Sequence, residues 1–300
     1  MRHKETHSHV TASRPFTRTQ IVERLRQQIA LGKPIIGAGC SSGLIARSAE
    51  HGGADLIIVY NTGTSRLMGL PTTHTMNHAN PSTLAMYDEI SNVVTHTPII
   101  GGGEAQDPTY MDLHRLVGDF RQTGFDGMIN FPTTGPSGSR NRDRSSVGLG
   151  LDRDFEMIKI ARDQDYFTIC YGYTEEQTIG LAAVGADVIV GHAGWTTGGL
   201  AGAGASAMSL DKACEHVQKM VELARRENPQ VIVLAHGGPI SSAEDTRYLY
   251  EKTDAQGFLG ASSMERIPVE AALVDAVRAF KSKRPRASRT DQVEALAGTR

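Results

Sequence analysis

The residues of this chain that could carry chemistry stand at the ends of short apolar runs. Glu104 follows three glycines in GGGEAQD, and Asp107 closes the same segment. A carboxylate there could be a general base. With Asp107 it could ligate Mg²⁺, a hard ion that prefers oxygen. His192 and His236 lie in GHAG and AHGG. Imidazole there could move protons near neutral pH or donate to an anion, and the alternative is two core histidines satisfied by carbonyls. Two late segments, VIVLAHGG with its Gly237-Gly238 end and GFLGASSMER with Ser262 and Ser263, run from apolar residues into Gly and Ser. Backbone N–H groups exposed in such turns can converge on a phosphoryl or carboxylate group. Cys40, Ser41, Asn61, Asn130, Thr133, Tyr171 and Tyr173 complete the set of polar run ends. Cys40 could be a nucleophile given a partner base, or simply a small core residue.

Two further segments could border such a site. His74 and His78 are four apart in THTMNHANP, but Asn77, Asn80 and Pro81 make this a loop rather than a metal-binding helix. The stretch from Pro132 to Gly150 is the longest without a regular pattern, and it carries Arg140, Arg142 and Arg144. A segment of that kind can act as a lid whose arginines clamp an anionic substrate, or be a solvated basic loop.

These residues need a frame that brings them together. Eight apolar runs begin at Pro34, Ala54, Thr97, Asp126, Tyr166, Ala186, Gln230 and Ala255. Each is continuous rather than alternating, which suits parallel strands covered on both faces. Helical patterns separate them. Asn80-Pro81 reads as a cap opening a helix over 81–94, Thr174 with Gln177 as a capping box, and Ser241 with Glu244 as another. Leu210, Ala213, Cys214, Val217, Met220, Val221 and Ala224 share a face of a helix over 209–227. The phrases GGADLIIV and VGADVIVG nearly repeat, as stacked β/α units would. An extra helix, capped by Thr17 and Gln20, precedes the first run and is placed to close the barrel bottom. The expected fold is α/β, a closed (β/α)₈ TIM barrel with an extra N-terminal helix, and its active site belongs at the C-terminal strand ends. No GxGxxG follows the first run, so a dinucleotide fold lacks its local signature.

Composition narrows the function. The 300 residues carry a formal net charge of -2, which favours neither nucleic acid nor a membrane surface as partner. Three isolated cysteines give neither metal spacing nor a disulfide framework. Neither a membrane-length apolar run nor a signal-peptide core is visible, so a cytoplasmic location is the expectation. Residues 1–16 read as a flexible start, 17–281 as the barrel domain and 282–300 as a flexible basic tail. Apolar residues between Val269 and Phe280 exceed a single stripe, which points to a homo-oligomer.

The segments GADLIIVYNTG, IIGGGEAQDP, DGMINFPTTG, GADVIVGHAGWTTGG and VLAHGGPISSAEDTRYL resemble the phosphoenolpyruvate-hydrolase-like TIM-barrel family over roughly residues 17–280. That family stands near the phosphoenolpyruvate mutase and isocitrate lyase superfamily. A similar domain forms the C-terminal part of a plant tobamovirus-resistance protein. The resemblance implies a small oxyacid substrate, Mg²⁺ and a gating loop after the fourth strand, where 132–150 falls. Two motifs depart from the superfamily. No paired DxD is present, and SRNRDRSS stands where the lyases carry KRCGH. The expectation is a hydrolase-like enzyme acting on a small phosphorylated or phosphono oxo or enol acid, such as phosphoenolpyruvate or phosphonopyruvate. In that role Glu104, His192 and His236 would be catalytic, with Glu104 and Asp107 on any metal. Cys40, Ser41, Asn61, Asn130, Tyr171, Gly237, Gly238, Ser262, Ser263 and Arg140, Arg142 and Arg144 would hold substrate. A non-catalytic ligand-binding or protein-interaction barrel is the second reading, and a lyase or aldolase the third.

Overall fold

The computed structural model describes residues 15–72, 78–133, 138–202 and 208–283, with the backbone alone over 138–141. His74, the Arg140 side chain, most of the N-terminal segment and almost all of the basic tail lie outside the described residues. Eight parallel strands close into a barrel in sequence order. They are β1 (Ile35–Gly39), β2 (Leu56–Val59), β3 (Ile99–Gly102), β4 (Gly127–Ile129), β5 (Phe167–Gly172), β6 (Val188–His192), β7 (Ile232–His236) and β8 (Gly257–Gly260). All eight coincide with the apolar runs. Among the described residues no helix is long and apolar enough to cross a membrane.

The core divides by strand parity, because successive side chains on a strand point to opposite faces. Leu56 and Ile58, Phe167 and Ile169, Val188 and Val190, and Ile232 and Leu234 fill the barrel interior. Their neighbours Ile57, Val59, Cys170, Ile189 and Val233 pack outward in the second cluster, against the helices. The interior column continues upward in step. Tyr60, Tyr171, His192 and His236 therefore reach the mouth.

The helix α1 (Arg18–Ala30) plugs the bottom. Thr17 and Gln20 form a complete capping box, as their spacing implies. Ile21 and Leu25, fully or almost fully buried, join the interior cluster. Each such burial is worth about 1.5–3 kcal/mol. Arg18 fixes the plug to the barrel through the half-buried Asp187, with Nη2 to Oδ1 at 2.8 Å.

Around the barrel run α2 (Gly43–His51), α3 (Gly63–Leu67), α4 (Ala79–Ala85), α5 (Tyr87–Ser91), α6 (Leu113–Thr123) and α7 (Gly138–Ser145). Then follow α8 (Asp152–Asp163), α9 (Glu175–Ala183), α10 (Leu210–Glu227), α11 (Ala243–Lys252), α12 (Ser262–Glu265) and α13 (Ile267–Lys281). Several local expectations are corrected. The helix expected over 81–94 is broken into α4 and α5, and its N-cap is His78 in the left-handed region at φ 50. Asn80 sits inside α4, its side chain drawn away to the Glu104 backbone and to Asp107. The box before α11 is Ser242 with Asp245, one residue later than Ser241 with Glu244. At α9 Thr174 caps Gln177, but the Gln177 side chain accepts from Tyr173 N–H rather than closing a box. The 132–150 stretch is not without regular structure, since it contains α7.

Candidate active site

The mouth is built from the last inward residues of the strands and from three loops. Its cavity is lined by Tyr60, Phe131, Tyr171, His192 and His236 from strand ends, and by Arg66, Thr72, Trp195, Thr196, Ala261 and Ser262 from loops and short helices. It contains about 280 Å³ of space between atoms, the part open to solvent included. The aromatic rings form a continuous wall. Tyr60 and Phe131 lie 4.6 Å apart, Phe131 and Tyr171 5.4 Å, and Tyr171 and His236 4.9 Å between centroids.

Arg66 supplies the charge. It sits in α3, just past the end of β2, and its side chain is 1% exposed. Its Nε donates to Glu265 Oε2 at 2.6 Å, while Glu265 Oε1 accepts the Ser41 N–H at 2.6 Å. Burial works against the guanidinium charge, but the adjacent Glu265 prevails and the Arg66 pKa stays above its ordinary value. Nη1 and Nη2 are buried without a hydrogen-bond partner among the described residues. Unpaired buried donors on a cation are costly, so a site that keeps them aimed at a cavity is built for an anion or for water.

His192 and His236 face each other at 4.4 Å between centroids, in register on adjacent strands. Burial holds both pKa values down, His192 well below its ordinary value and His236 at about 4. Both are therefore neutral near pH 7. Their tautomers follow from their partners. His236 Nδ1 lies 2.6 Å from the Leu259 carbonyl, which can only accept, so Nδ1 carries the proton and Nε2 is bare. His192 Nδ1 accepts the Gly194 N–H at 3.0 Å, so its proton is on Nε2. The pair offers one acceptor and one donor. Tyr173 stacks on His192 at 4.0 Å, and its buried hydroxyl has no partner among the described residues.

The remaining expected residues separate into groups. Tyr171 and Ser262 line the cavity with the two histidines. Ser41 stands beneath Arg66, bound to Glu265. Cys40 belongs to the outward cluster. There burial first, and the Glu265 carboxylate second, push its thiol far up, so it is no ready nucleophile. Asn130 joins β4 to β5, its Oδ1 taking the Tyr171 N–H at 2.7 Å. Asn61 is buried, its N–H on Thr83 Oγ1. Gly238 donates its N–H to the Gly194 carbonyl at 2.8 Å, which removes that donor from any anion. Ser263 is half-buried beside the lining. Arg142 is exposed, whereas Arg144 reaches Glu104 at 3.9 Å.

Glu104 and Asp107 lie outside the cavity lining. Glu104 Oε2 takes the Ala79 N–H at 2.9 Å. Burial and then Asp107 raise its pKa, against the Ala79 N–H and Arg144. Asp107 Oδ1 accepts from the Thr109 N–H and hydroxyl, and Oδ2 from Asn80. Their oxygens serve the protein's own loops, and no group of three or more His, Cys, Asp or Glu suited to a metal occurs among the described residues. Among the described residues the cavity lining therefore offers no carboxylate to a resident Mg²⁺.

Another fully buried carboxyl stands apart from these. Asp154 on α8 accepts from Thr133 Oγ1 at 2.5 Å and Gln106 Nε2 at 2.9 Å, yet burial outweighs these donors and lifts its pKa to about 6. The linkage signs of Asp154 and His236 oppose. His236 binds its proton less well folded than unfolded. Its stabilising contribution is complete above its ordinary 6.5 and is lost as pH falls toward about 4. Asp154 binds its proton better folded. Its contribution is complete below its ordinary 3.8 and is lost as pH rises through about 6. Each is worth on the order of 3 kcal/mol over its window. Asp154→Asn should therefore unmask the histidine and make stability climb more steeply between about pH 4 and 6. Urea unfolding across that range checks this, and an unchanged slope would contradict it.

Sequence reading missed Arg66, Tyr60, Phe131, Thr72, Trp195 and Thr196. Tyr60 and Phe131 carried a usable signal, since both continue the inward parity of β2 and β4. Arg66 carried none, because its position depends on the turn that opens α3.

The phosphoenolpyruvate hydrolase-like family model matches residues 20–283. The ToMV resistance protein Tm-1(GCR237) of Solanum lycopersicum is 39% identical over 270 residues, which cover 88% of this chain and 36% of that protein. The ToMV susceptible protein tm-1(GCR26) of the same plant matches to the same extent, so the chain spans about a third of these relatives' length. In fold, the chain resembles a phosphonopyruvate hydrolase solved with oxalate and Mg²⁺ (TM-score 0.54, 15% identity, 93% of this chain and 95% of that one). It also resembles 2,3-dimethylmalate lyase of the PEP mutase/isocitrate lyase superfamily (TM-score 0.56, 15% identity, 95% and 96%). With its closed eight-stranded barrel and a match over most of its length, the chain belongs to the phosphoenolpyruvate hydrolase-like family.

Proposed function

We propose that the barrel mouth is the active site of a hydrolase-like enzyme for a small oxyacid, of the phosphoenolpyruvate or phosphonopyruvate class. The observation that carries this reading is the buried Arg66 guanidinium, held by Glu265, with both Nη atoms unpaired among the described residues beside the cavity. The Arg66 fork takes the carboxylate of the substrate. The bare Nε2 of His236 accepts a proton from the attacking water as its oxygen bonds to phosphorus. The bond from phosphorus to the substrate's oxygen or carbon breaks, and its electron pair leaves with the pyruvate portion as an enolate. The Nε2–H of His192 and the aromatic wall hold that leaving portion. Glu104, outside this lining, faces Arg144 on α7 at 3.9 Å.

Phosphate and pyruvate release from either substrate by the purified protein tests the reading. Release abolished by His236→Gln in a folded variant supports it. Ligand binding without turnover would instead favour a non-catalytic module. A Schiff-base aldolase is disfavoured because no lysine lines the cavity among the described residues.

We also propose self-association through α13. Val269, Leu273, Val277 and Phe280 are 45%, 62%, 53% and 82% exposed, and none of the helix is buried. Their spacing places them along one side of the helix. Leu273→Asp with Phe280→Asp should lower the sedimenting mass to that of one chain. A wild type that sediments as a monomer at micromolar concentration would refute this.

A further inference from the structure

A small oxyacid can be held in a barrel mouth in two chemically different ways. A divalent cation fixed by carboxylates can bridge protein and ligand, or the protein can present its own cation. Three observations separate these here. Among the described residues the cavity lining holds one fixed guanidinium and no carboxylate. The carboxylates around it are committed elsewhere: Glu265 to Arg66 and the Ser41 N–H, and Glu104 and Asp107 to backbone and side-chain donors of their own loops. The two lining histidines are locked as one Nε2–H and one bare Nε2, by Gly194 and Leu259.

Mg²⁺ needs about six oxygen ligands in near-octahedral geometry. Among the described residues the lining offers hydroxyls, imidazoles and the Arg66 guanidinium, and the carboxylate beside it, Glu265, is already taken up by Arg66 and Ser41. The same guanidinium suits an anion directly. Its Nε is committed to Glu265, and this fixes the plane of the fork while leaving Nη1 and Nη2 unpaired among the described residues. A planar carboxylate matches that fork with two parallel hydrogen bonds. Tyr60 and Phe131 stand beside it with their rings tilted by 53°, and the guanidinium lies 5.5 Å over the Tyr60 ring.

We infer that the mouth recognises a small planar oxyacid, a carboxylate next to a carbonyl or second carboxylate, directly through Arg66 and without a divalent metal between protein and ligand. This rests on the reading of the mouth as an oxyacid site, and it assigns Arg66 the part that a metal plays in a carboxylate-lined barrel.

Oxalate is the probe. Its binding to the full chain is measured calorimetrically after exhaustive treatment with EDTA, and again with excess Mg²⁺. The expected dissociation constants agree within about twofold, and Arg66→Lys, which keeps the charge but loses the fork, weakens binding by about 10- to 100-fold. Because Arg66 variants strain a buried pair, Arg66→Met with Glu265→Met supplies a variant with both charges removed, and it should lose oxalate binding while folding cooperatively. Binding that requires Mg²⁺ would overturn the inference and leave the oxyacid site standing. Metal-free binding unchanged in Arg66→Lys would overturn it too, since the anion would then sit elsewhere. Absence of oxalate binding under both conditions, from protein with native circular dichroism, would overturn the inference and the oxyacid reading together.

Discussion

Glu265→Gln is expected to destabilise the protein by about 3–5 kcal/mol, the range found when one partner of a buried ion pair is removed. The side chains of Arg66 and Glu265 are 1% and 0% exposed, so water cannot replace the missing charge. Glu265 also binds the N–H and hydroxyl of Ser41, and so joins the ends of β1, β2 and β8 above the barrel. Gln can keep one of these bonds, but its amide N–H₂ would face either the guanidinium or the Ser41 N–H, donor against donor. The Arg66→Met, Glu265→Met pair should be less destabilised than Glu265→Gln alone, because no unpaired charge remains buried. Chemical unfolding of the three proteins measures both statements. A Glu265→Gln loss below about 1 kcal/mol would mean that the pair is solvated in solution. Oxalate should not rescue Glu265→Gln, since an anion at the Nη atoms leaves the Nε side unpaired.

What the chain reveals before folding depends on whether a position is set by a repeating element or by a turn. The eight strands were legible because each is a continuous apolar run ended by Gly or a small polar residue. His192 and His236 were legible as neighbours because their runs are successive, and the register pairs them directly. Parity adds more than run ends alone. Counting by twos from Val188 and Ile232 sends His192 and His236 inward, and counting from Ala38 sends Cys40 outward. The glutamate and aspartate of GGGEAQD escape this rule because β3 ends at Gly102, before either residue. Beyond that point the loop follows its own hydrogen bonds, and Arg153 Nε on the Ala105 carbonyl at 2.6 Å is part of what fixes it. Arg66 was illegible for a similar reason. It lies in a five-residue helix whose orientation is set by Glu265, 199 residues away in the chain.

Gly237→Ala should lower the melting temperature of the ligand-free protein by at least about 5 °C. The two late glycines read in sequence as an anion-binding turn, and the structure gives them a conformational task. Gly237 and Gly238 have φ of 77 and 57, a region that costs an L-residue about 1–2 kcal/mol. A Cβ on Gly237 would also stand on the Gly194 carbonyl oxygen, and one on Gly238 would press on the Ala193 carbonyl. The loops after β6 and β7 nest through these contacts, and Gly194 in turn holds the ring of His192. Overlap with backbone adds about 1–3 kcal/mol to the strain, because backbone cannot rotate aside. Gly53→Ala is the control, since Gly53 has φ 88 but nothing within 4 Å of its Cβ position. It should show the strain alone, and the difference between the two variants isolates the clash. Were Gly237 needed only to approach a ligand, both alanine variants would lose the same stability, and the additional defect of Gly237→Ala would appear in oxalate affinity alone. The expected order is the reverse, with the larger loss in folding, and with weakened oxalate binding following from displacement of His192 as the two loops move apart.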